Sequence, residues 1–438
     1  MGLTSSFVAL GDGTLPSSFE GLKSHLPAEW VEACLANNGV ATLRKRKLPV
    51  EEVVWLVIGM ALYRDRPILE VVQRLNLVLP GENGEKRTIA KGAITPARDR
   101  VGYEPLRDLF RATGSHWGVE AAQRQAWHGL KIFGIDGVTL RVPDSAENRQ
   151  EFELHSGSSY PVVRATALMA LRSRLLVDFC FSGCRTGEVT LAKDLLPSIP
   201  DNSLTILDRL YHNFPFWQDI RSGGQERHWL VRVRKDLRWT VIKTLGRGDE
   251  LVEIRVSESS RARNPGLPEI IRARAIRYRK PGFRTRTLLT SLLDWQAFPA
   301  AEIAALYHER WELELAYNEI KTGTLERLEA IRSHSPDRVR QELWGIVIAY
   351  NLVRREMETM ARELGIPPSR ISFRAALMLI RDLFVWAAIA SPGSLPKMLK
   401  GMRLDLQHMV LPPRRFRTYP RHVKSKPRKY PRNVGHAA

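Results

Sequence analysis

Three carboxylates in this chain of 438 residues stand where chemistry could use them. Asp136 closes the apolar run LKIFGID (130–136), Asp208 closes SLTILD (203–208), and Glu314 lies within YHERWELELAYNEIK (307–321). At 100° per residue, Leu306, Leu313 and Ile320 form one apolar stripe with Tyr317 at its edge. Tyr307, Arg310, Glu314, Asn318 and Lys321 fall beside it, within about 80° of arc. A solvated helix face usually mixes charges all round. Here a single carboxylate sits among a hydroxyl and two cations that would otherwise grip an anion.

Ligands of open α/β sheets bind beyond the carboxyl ends of the strands, which would aim Asp136 and Asp208 into one cleft. Either Asp alone has an ordinary explanation as a turn former or helix cap. The pair together with Glu314 is harder to explain that way. Three carboxylates without a His or Cys cluster form a hard, oxygen-only site, suited to Mg²⁺ or Mn²⁺ rather than zinc. Two such ions roughly 3.5–4 Å apart support in-line attack on a phosphodiester, one at the nucleophile and one at the leaving oxygen. Phosphoryl transfer asks mainly for positioning and charge neutralisation. Glu314 would then be a metal ligand, while Arg310, Lys321 and the Tyr307 hydroxyl hold the adjoining phosphates.

The elements that must position these groups can be read from periodicity. Residues 1–115 are expected to form a helical N-terminal domain, with Pro27–Ala36, Pro49–Tyr63 and Pro67–Leu75 each opening on a proline. Three short helices can make a DNA-binding unit or any small helical domain. From 128 to 235 the period changes to strand, hairpin at Arg172–Arg174, helix, strand ending at Asp208, helix and strand, which predicts an α/β layer. Residues 236–300 hold short β-rich pieces between Gly and Pro and read as a basic β insertion. In IIRARAIRYRK, Arg272 and Arg274 share a strand face; Arg277 and Arg279 join it only if a bulge intervenes. Residues 301–400 return to helices, including 339–363 and 371–390. The segment 405–438 reads as a basic tail that is unstructured until it meets a polyanion.

The net charge of +20 is concentrated. Between Arg221 and Arg286 there are 18 basic and 7 acidic residues, and from Pro412 to Ala438 there are 9 basic and none acidic. These two segments carry the whole excess, which argues for a polyanionic partner over a uniformly cationic surface. Three cysteines fit no disulfide framework or zinc spacing. No signal-peptide pattern is present, and the apolar runs Val53–Tyr63 and Leu383–Ala390 are too short to span a bilayer. A cytoplasmic protein with no membrane partner is expected.

Tyr307, Arg310, Glu314 and Lys321 fit Y-x2-R-x3-E-x6-K, and this pattern resembles the signature of the insertion element four family of bacterial DDE transposases. GIDGVTLRVPDSAEN (134–148) resembles that family's first-Asp segment, ILDRLYHN (206–213) its second, and 26–75 its N-terminal domain. The likeness runs from about residue 16 to 390. It implies a ribonuclease-H-like catalytic core interrupted by the β insertion, with Asp136, Asp208 and Glu314 binding two Mg²⁺ ions. It also implies an enzyme that cuts the ends of its element and joins the freed 3′-hydroxyls to target DNA. A homodimer on double-stranded DNA, associated with the nucleoid, would be the working form. Trp311 matches the family's usual residue after the Arg. Relatives that excise through a hairpin stack a flipped base on a Trp before LLT; here Arg286 stands at that place and the nearest Trp is Trp295. A guanidinium plane can also stack on a base. With Arg272, Arg274, Arg277 and Arg279, these residues make up the expected DNA contacts.

Two other functions compete. A DDE-type nuclease or domesticated relative would cleave without strand transfer, and a DNA-binding regulator without catalysis would tolerate neutral residues at 136, 208 and 314. A two-carboxylate glycosidase is disfavoured by the cation row and the net charge. The separation of charge from carboxylates along the chain generates a first prediction. Deleting residues 412–438 should weaken binding to element ends and to random DNA by similar factors, most at low salt, because such contacts release counterions without reading bases. Gel-shift titrations of both DNAs across a salt series would show it; a loss confined to element ends would reassign the tail to specific recognition.

Overall fold

Proline opens each of the first three helices among the described residues. In the computed structural model Pro27, Pro49 and Pro67 sit at the N-caps of α1 (Ala28–Asn37), α2 (Val50–Leu62) and α3 (Ile68–Arg74), with φ of −54°, −54° and −59°. That value is preset by the ring, and the missing N–H is not needed at a helix start. The structure describes residues 26–40, 48–75, 79–80, 86–87, 89–154, 158–234, 236–279, 284–325, 331–389, 401 and 410–413. The expected tail beyond residue 413 therefore lies outside the described residues.

Helices α4 (Lys91–Val101) and α5 (Glu104–Arg124) complete the N-terminal part. Helix α2 is buried over most of its surface and packs on α12 (Pro336–Glu363), a long amphipathic helix from the other end of the chain. Helices α1 to α5 and α12 share one apolar core. Arg64 and Glu342 are both buried and pair across this junction.

One sheet of nine strands organises the rest. In chain order these are β1 (Lys131–Arg141), β2 (Val162–Ala170), β3 (Leu175–Gly183), β4 (Ser203–Leu207), β5 (Arg227–Arg232), β6 (Thr240–Gly246), β7 (Asp249–Arg255), β8 (Ile270–Tyr278) and β9 (Arg286–Thr290). Their spatial order is β3-β2-β1-β4-β5-β9-β8-β7-β6. The pairs β1–β4 and β4–β5 are parallel and the others antiparallel. The basic insertion thus continues the sheet, through β9 pairing with β5 from Leu288↔Arg232 to Thr290↔Leu230.

Alternation along the strands divides the apolar residues between two layers. Ile132, Leu204, Ile206 and Leu230 face the core shared with the N-terminal helices and α12. Phe133, Ile135, Leu207 and Val231 face a second core, covered by α7 (Glu188–Ala192), the 3₁₀ turn Lys193–Ser198 and α8 (Phe214–Ser222). The result is an α/β/α sandwich. All three cysteines are free and buried.

Helix α5 lies against β3 at the distance its glycines permit. A Cβ on Gly114 would come 2.7 Å from the Leu176 carbonyl oxygen and 2.9 Å from that of Val177. Gly114→Ala would raise helix propensity by about 1 kcal/mol, but strand backbone cannot step aside as a side chain can. Overpacking should win, with net destabilisation of about 1–2 kcal/mol. A lowered thermal denaturation midpoint is the expected result; an unchanged or raised midpoint would mean the helix slides freely over the strand.

Candidate active site

Asp136 and Asp208 are the first residues beyond one shared rung. The parallel register of β1 and β4 ends at Ile135↔Leu207, where neighbouring strands lie about 4.8 Å apart. The expectation that a strand stops at Asp136 is corrected here. Only β4 stops: β1 runs on to Arg141 because β2 pairs with it as far as Arg141↔Val162. Asp208 instead leaves the sheet, its carboxylate accepting the Arg209 N–H at 2.6 Å to cap a 3₁₀ turn. By alternation both Asp residues belong to the face of Gly134 and Ile206.

That face is covered by the segment carrying Glu314. The expected single helix is α10 (Ala300–Leu306), a 3₁₀ stretch Tyr307–Arg310, α11 (Trp311–Glu319) and a wider π turn Ile320–Thr324. Leu306, Leu313, Tyr317 and Ile320 are buried, as the stripe requires. A Cβ on Gly134 would come 2.7 Å from Leu313 Cδ1, so the missing side chain sets how near α11 lies to β1. One turn beyond Glu314, the Tyr317 hydroxyl donates to the Asp136 carbonyl oxygen at 2.6 Å.

The other carboxylates of this segment face away and are matched. Arg172 donates to both oxygens of Glu309 at 3.0 Å. Arg174, in the β2–β3 turn with φ of 60°, donates to Glu312 at 2.7 Å and also pairs with Glu319. Glu319 further pairs with the buried Arg354 and accepts from the Tyr350 hydroxyl at 3.2 Å. Glu314, by contrast, faces the cleft. It accepts from Arg310 Nη2 at 2.6 Å, while Nη1 of the same guanidinium reaches Asp136 Oδ2 at 3.4 Å.

Burial pushes the Asp136 carboxyl up to about 6; the Gly137 N–H and Arg310 oppose the shift, and Glu188 and Asp208 add to it. Burial alone would lower the Arg310 guanidinium, but Glu314, Asp208 and Asp136 hold it above its ordinary value. Asp136, Glu314, Lys321 and Glu188 line one cleft of about 430 Å³. Asp208 lines a second cleft, of about 600 Å³, with Arg209, Arg232, Arg234 and Asp236. Tyr307 is buried in electrostatic contact with Arg310, Asp208 and Arg232. Trp311 is exposed, with the Arg310 guanidinium 5.7 Å from its ring centroid.

The insertion arginines separate. Arg274 is buried: its Nε and Nη2 donate to Asp249 at 2.7 and 2.5 Å, and its Nη1 donates to the Phe298 carbonyl at 2.5 Å. Its expected surface role is corrected, since every guanidinium nitrogen is spent inside the protein. Arg272 is exposed and bonded to Glu253 at 2.9 Å. The β8–β7 register runs from Ile270 to Ile276 without a shift, so Arg277 takes the opposite strand face and Arg279 lies just past the strand end; both are exposed. Arg286 starts β9 and raises the cost of the charge on Arg232, which burial already disfavours. Two residues escaped the sequence reading: Arg232, legible only as one alternating strand cation, and Glu188, a lone Glu at a helix start.

Among the described residues no three carboxylate, His or Cys side chains are gathered tightly enough to hold an ion as they stand. The Arg310 guanidinium lies between Asp136 and Glu314 and stands in for positive charge there. An all-oxygen set at the mouth of a cleft, with Asp136 half-buried and Glu314 exposed, that draws in a cation this way fits a hard divalent ion.

Residues 16–111 match the family described as insertion element 4 transposase N-terminal, and 127–352 match the transposase DDE domain. The chain is 37% identical over 423 residues, 95% of its own length and 95% of the relative's, to the transposase InsG for insertion sequence element IS4 of Escherichia coli. The chain belongs to the insertion element 4 family of DDE transposases. A second Escherichia coli relative, a putative transposase InsZ, is 38% identical over 51% of this chain and 74% of its own. A piggyBac transposase synaptic complex with hairpin DNA aligns at a TM-score of 0.44 and 10% identity, over 90% of this chain and 85% of that one. The protein is thus a DNA transposase, and the DDE domain carries a general dependence on divalent metal. Among the described residues no helix is long and apolar enough to cross a membrane.

The raised Asp136 carboxyl gives a pH prediction. Near pH 4 it is protonated in the folded chain; as pH rises through about 6 the fold must ionise a buried group. Folding stability should therefore fall by roughly 2–3 kcal/mol across that window without metal. Asp136→Asn should melt higher than the parent at pH 8 in EDTA and alike at pH 4. Equal midpoints at pH 8 would mean that Arg310 fully offsets the burial.

Proposed function

We propose that Asp136, Asp208 and Glu314 form the catalytic centre, cleaving the ends of the insertion element and joining their 3′-hydroxyls to target DNA. The observation that carries this is the meeting of three elements: two aspartates beyond a single rung, and a glutamate joined to the first through Arg310. The strand order β3-β2-β1-β4-β5, with β1, β4 and β5 parallel, supports a ribonuclease-H-like core whose sheet the insertion extends.

Two Mg²⁺ or Mn²⁺ ions held by these carboxylates would activate the attacking oxygen and neutralise charge on the leaving one. The remaining steps belong to the chain's own groups. Arg310 exchanges its carboxylate partners for a DNA phosphate, for which a guanidinium offers a bidentate match. Lys321 and the Tyr307 hydroxyl hold neighbouring phosphates, and exposed Trp311 lies against the strand. Arg286, with Arg232, grips the backbone beside Asp208. Arg272, Arg277 and Arg279 add charge along the insertion. We further infer a homodimer that brings two ends together and a cytoplasmic location on the nucleoid, where the substrate lies.

Glu314→Gln keeps size and polarity but removes a ligand charge. End cleavage should fall about 10³-fold, equivalent to about 4 kcal/mol, while gel-shift binding of the ends survives. Substantial cleavage by this variant would remove Glu314 from the centre. Cleavage by the parent chain without any joined product in a strand-transfer assay would favour the nuclease reading instead.

A further inference from the structure

Glu188 is a fourth carboxylate in the cleft, and the fold makes room for it. It is the first residue of α7, on the sheet face opposite α11. Gly137, next to Asp136, is what lets it in. A Cβ at Gly137 would lie 2.3 Å from the Glu188 carboxyl carbon and 2.5 Å from Oε2, so any side chain there would displace the carboxylate. Its other oxygen, Oε1, accepts from the Tyr211 hydroxyl at 3.0 Å, and Tyr211 is fully buried. Beyond Ile135 strand β1 has lost β4 as a neighbour. Along the side that β4 has left, Glu188, Asp136 and Glu314 line a single cleft.

A carboxylate at the start of a helix is often there for the helix dipole and needs no further role. Such a group points to solvent. Glu188 instead folds over a glycine toward another carboxylate, and its partner is a neutral hydroxyl. Placing two anions side by side costs energy unless a cation is shared between them.

We propose that Glu188 is a positioning residue of the metal centre, its carboxylate adding to the hold of Asp136 on the cation from the opposite face of the sheet to Glu314. This rests on the reading that Asp136, Asp208 and Glu314 bind divalent metal.

The test is Mn²⁺ binding to the full chain, followed by the spin-resonance signal of free Mn²⁺, beside the Mn²⁺ dependence of end cleavage. Glu188→Gln can still accept from Tyr211 and loses only charge. Its Mn²⁺ affinity should fall roughly tenfold, the scale of supporting groups around a metal. The Mn²⁺ concentration for half-maximal cleavage should rise by the same factor, with saturating Mn²⁺ restoring most of the rate. A purely structural Glu188 predicts unchanged Mn²⁺ affinity, or a loss of rate that Mn²⁺ does not restore; either overturns the proposal. Tyr211→Phe, which frees the carboxylate but keeps its charge, should weaken Mn²⁺ binding by less, roughly two- to threefold, below the tenfold expected for losing the carboxylate charge. If Glu188→Gln fails to fold, parental affinity in Tyr211→Phe overturns the proposal by itself. Asp136→Asn tests the underlying reading separately: parental Mn²⁺ affinity there would refute the metal centre, whatever Glu188 does.

Discussion

The rotation of one short helix decides whether this site exists. Helix α11 carries four glutamates within reach of its ends, and only Glu314 turns toward Asp136. Arg172, Arg174 and Arg354 claim Glu309, Glu312 and Glu319 from behind. Burying such pairs returns little net stability, because desolvation consumes most of the attraction. Removing one partner is another matter, at about 3–5 kcal/mol for a charge left buried and alone. The cluster therefore acts on orientation: any other rotation of α11 strands several charges at once. Tyr317 closes the arrangement by tying the same helix to the Asp136 backbone.

The sheet imposes the second constraint. Two parallel strands whose pairing ends on one rung deliver their next residues side by side, and here both are aspartates. The proposed catalysis needs them close; folding does not. Asp136 bears the conflict as a carboxyl displaced toward neutral pH, and Arg310 relieves it by reaching both Asp136 and Glu314. A guanidinium can leave such a position without breaking the scaffold, since none of the rear ion pairs depends on it. Local rules of charge placement are violated at the site and satisfied immediately behind it, the pattern expected where function competes with stability.

Much of this was legible in the residues. Helical periodicity with leading prolines located α1 to α3 within a residue or two, and the apolar runs located β1 and β4. Glu314 stood out because its neighbours on the wheel were cations. What stayed hidden depends on partners distant in the chain. Arg274 looks like surface charge until β7 brings Asp249, 25 residues away, against it. Continuation of β1 past Asp136 depends on β2, and no feature of GIDGVTLR announces it. The 3₁₀ and π turns flanking α11 conserve the apolar stripe, so periodicity alone reads one helix. Glu188 gives no signal in the chain because its meaning lies in a glycine 51 residues earlier.

The insertion takes its place in this scheme through register rather than composition. Because β9 pairs with β5, Arg286 is brought toward Arg232, whose strand lies next to the one that ends at Asp208. Neither arginine makes an ion pair within the described residues, and the charge on Arg232 is disfavoured by burial and by Arg286. Two fully buried guanidiniums, Arg274 and Arg354, are each ion-paired, with Asp249 and Glu319. Leaving two cations repelling each other beside a carboxylate is costly for the chain alone. Under the proposed function it becomes favourable when DNA enters, because phosphate oxygens then neutralise both guanidiniums and release the repulsion together. The same strand pairing that extends the sheet thus sets the proposed cationic grip next to the proposed acidic chemistry, with Asp208 at the boundary.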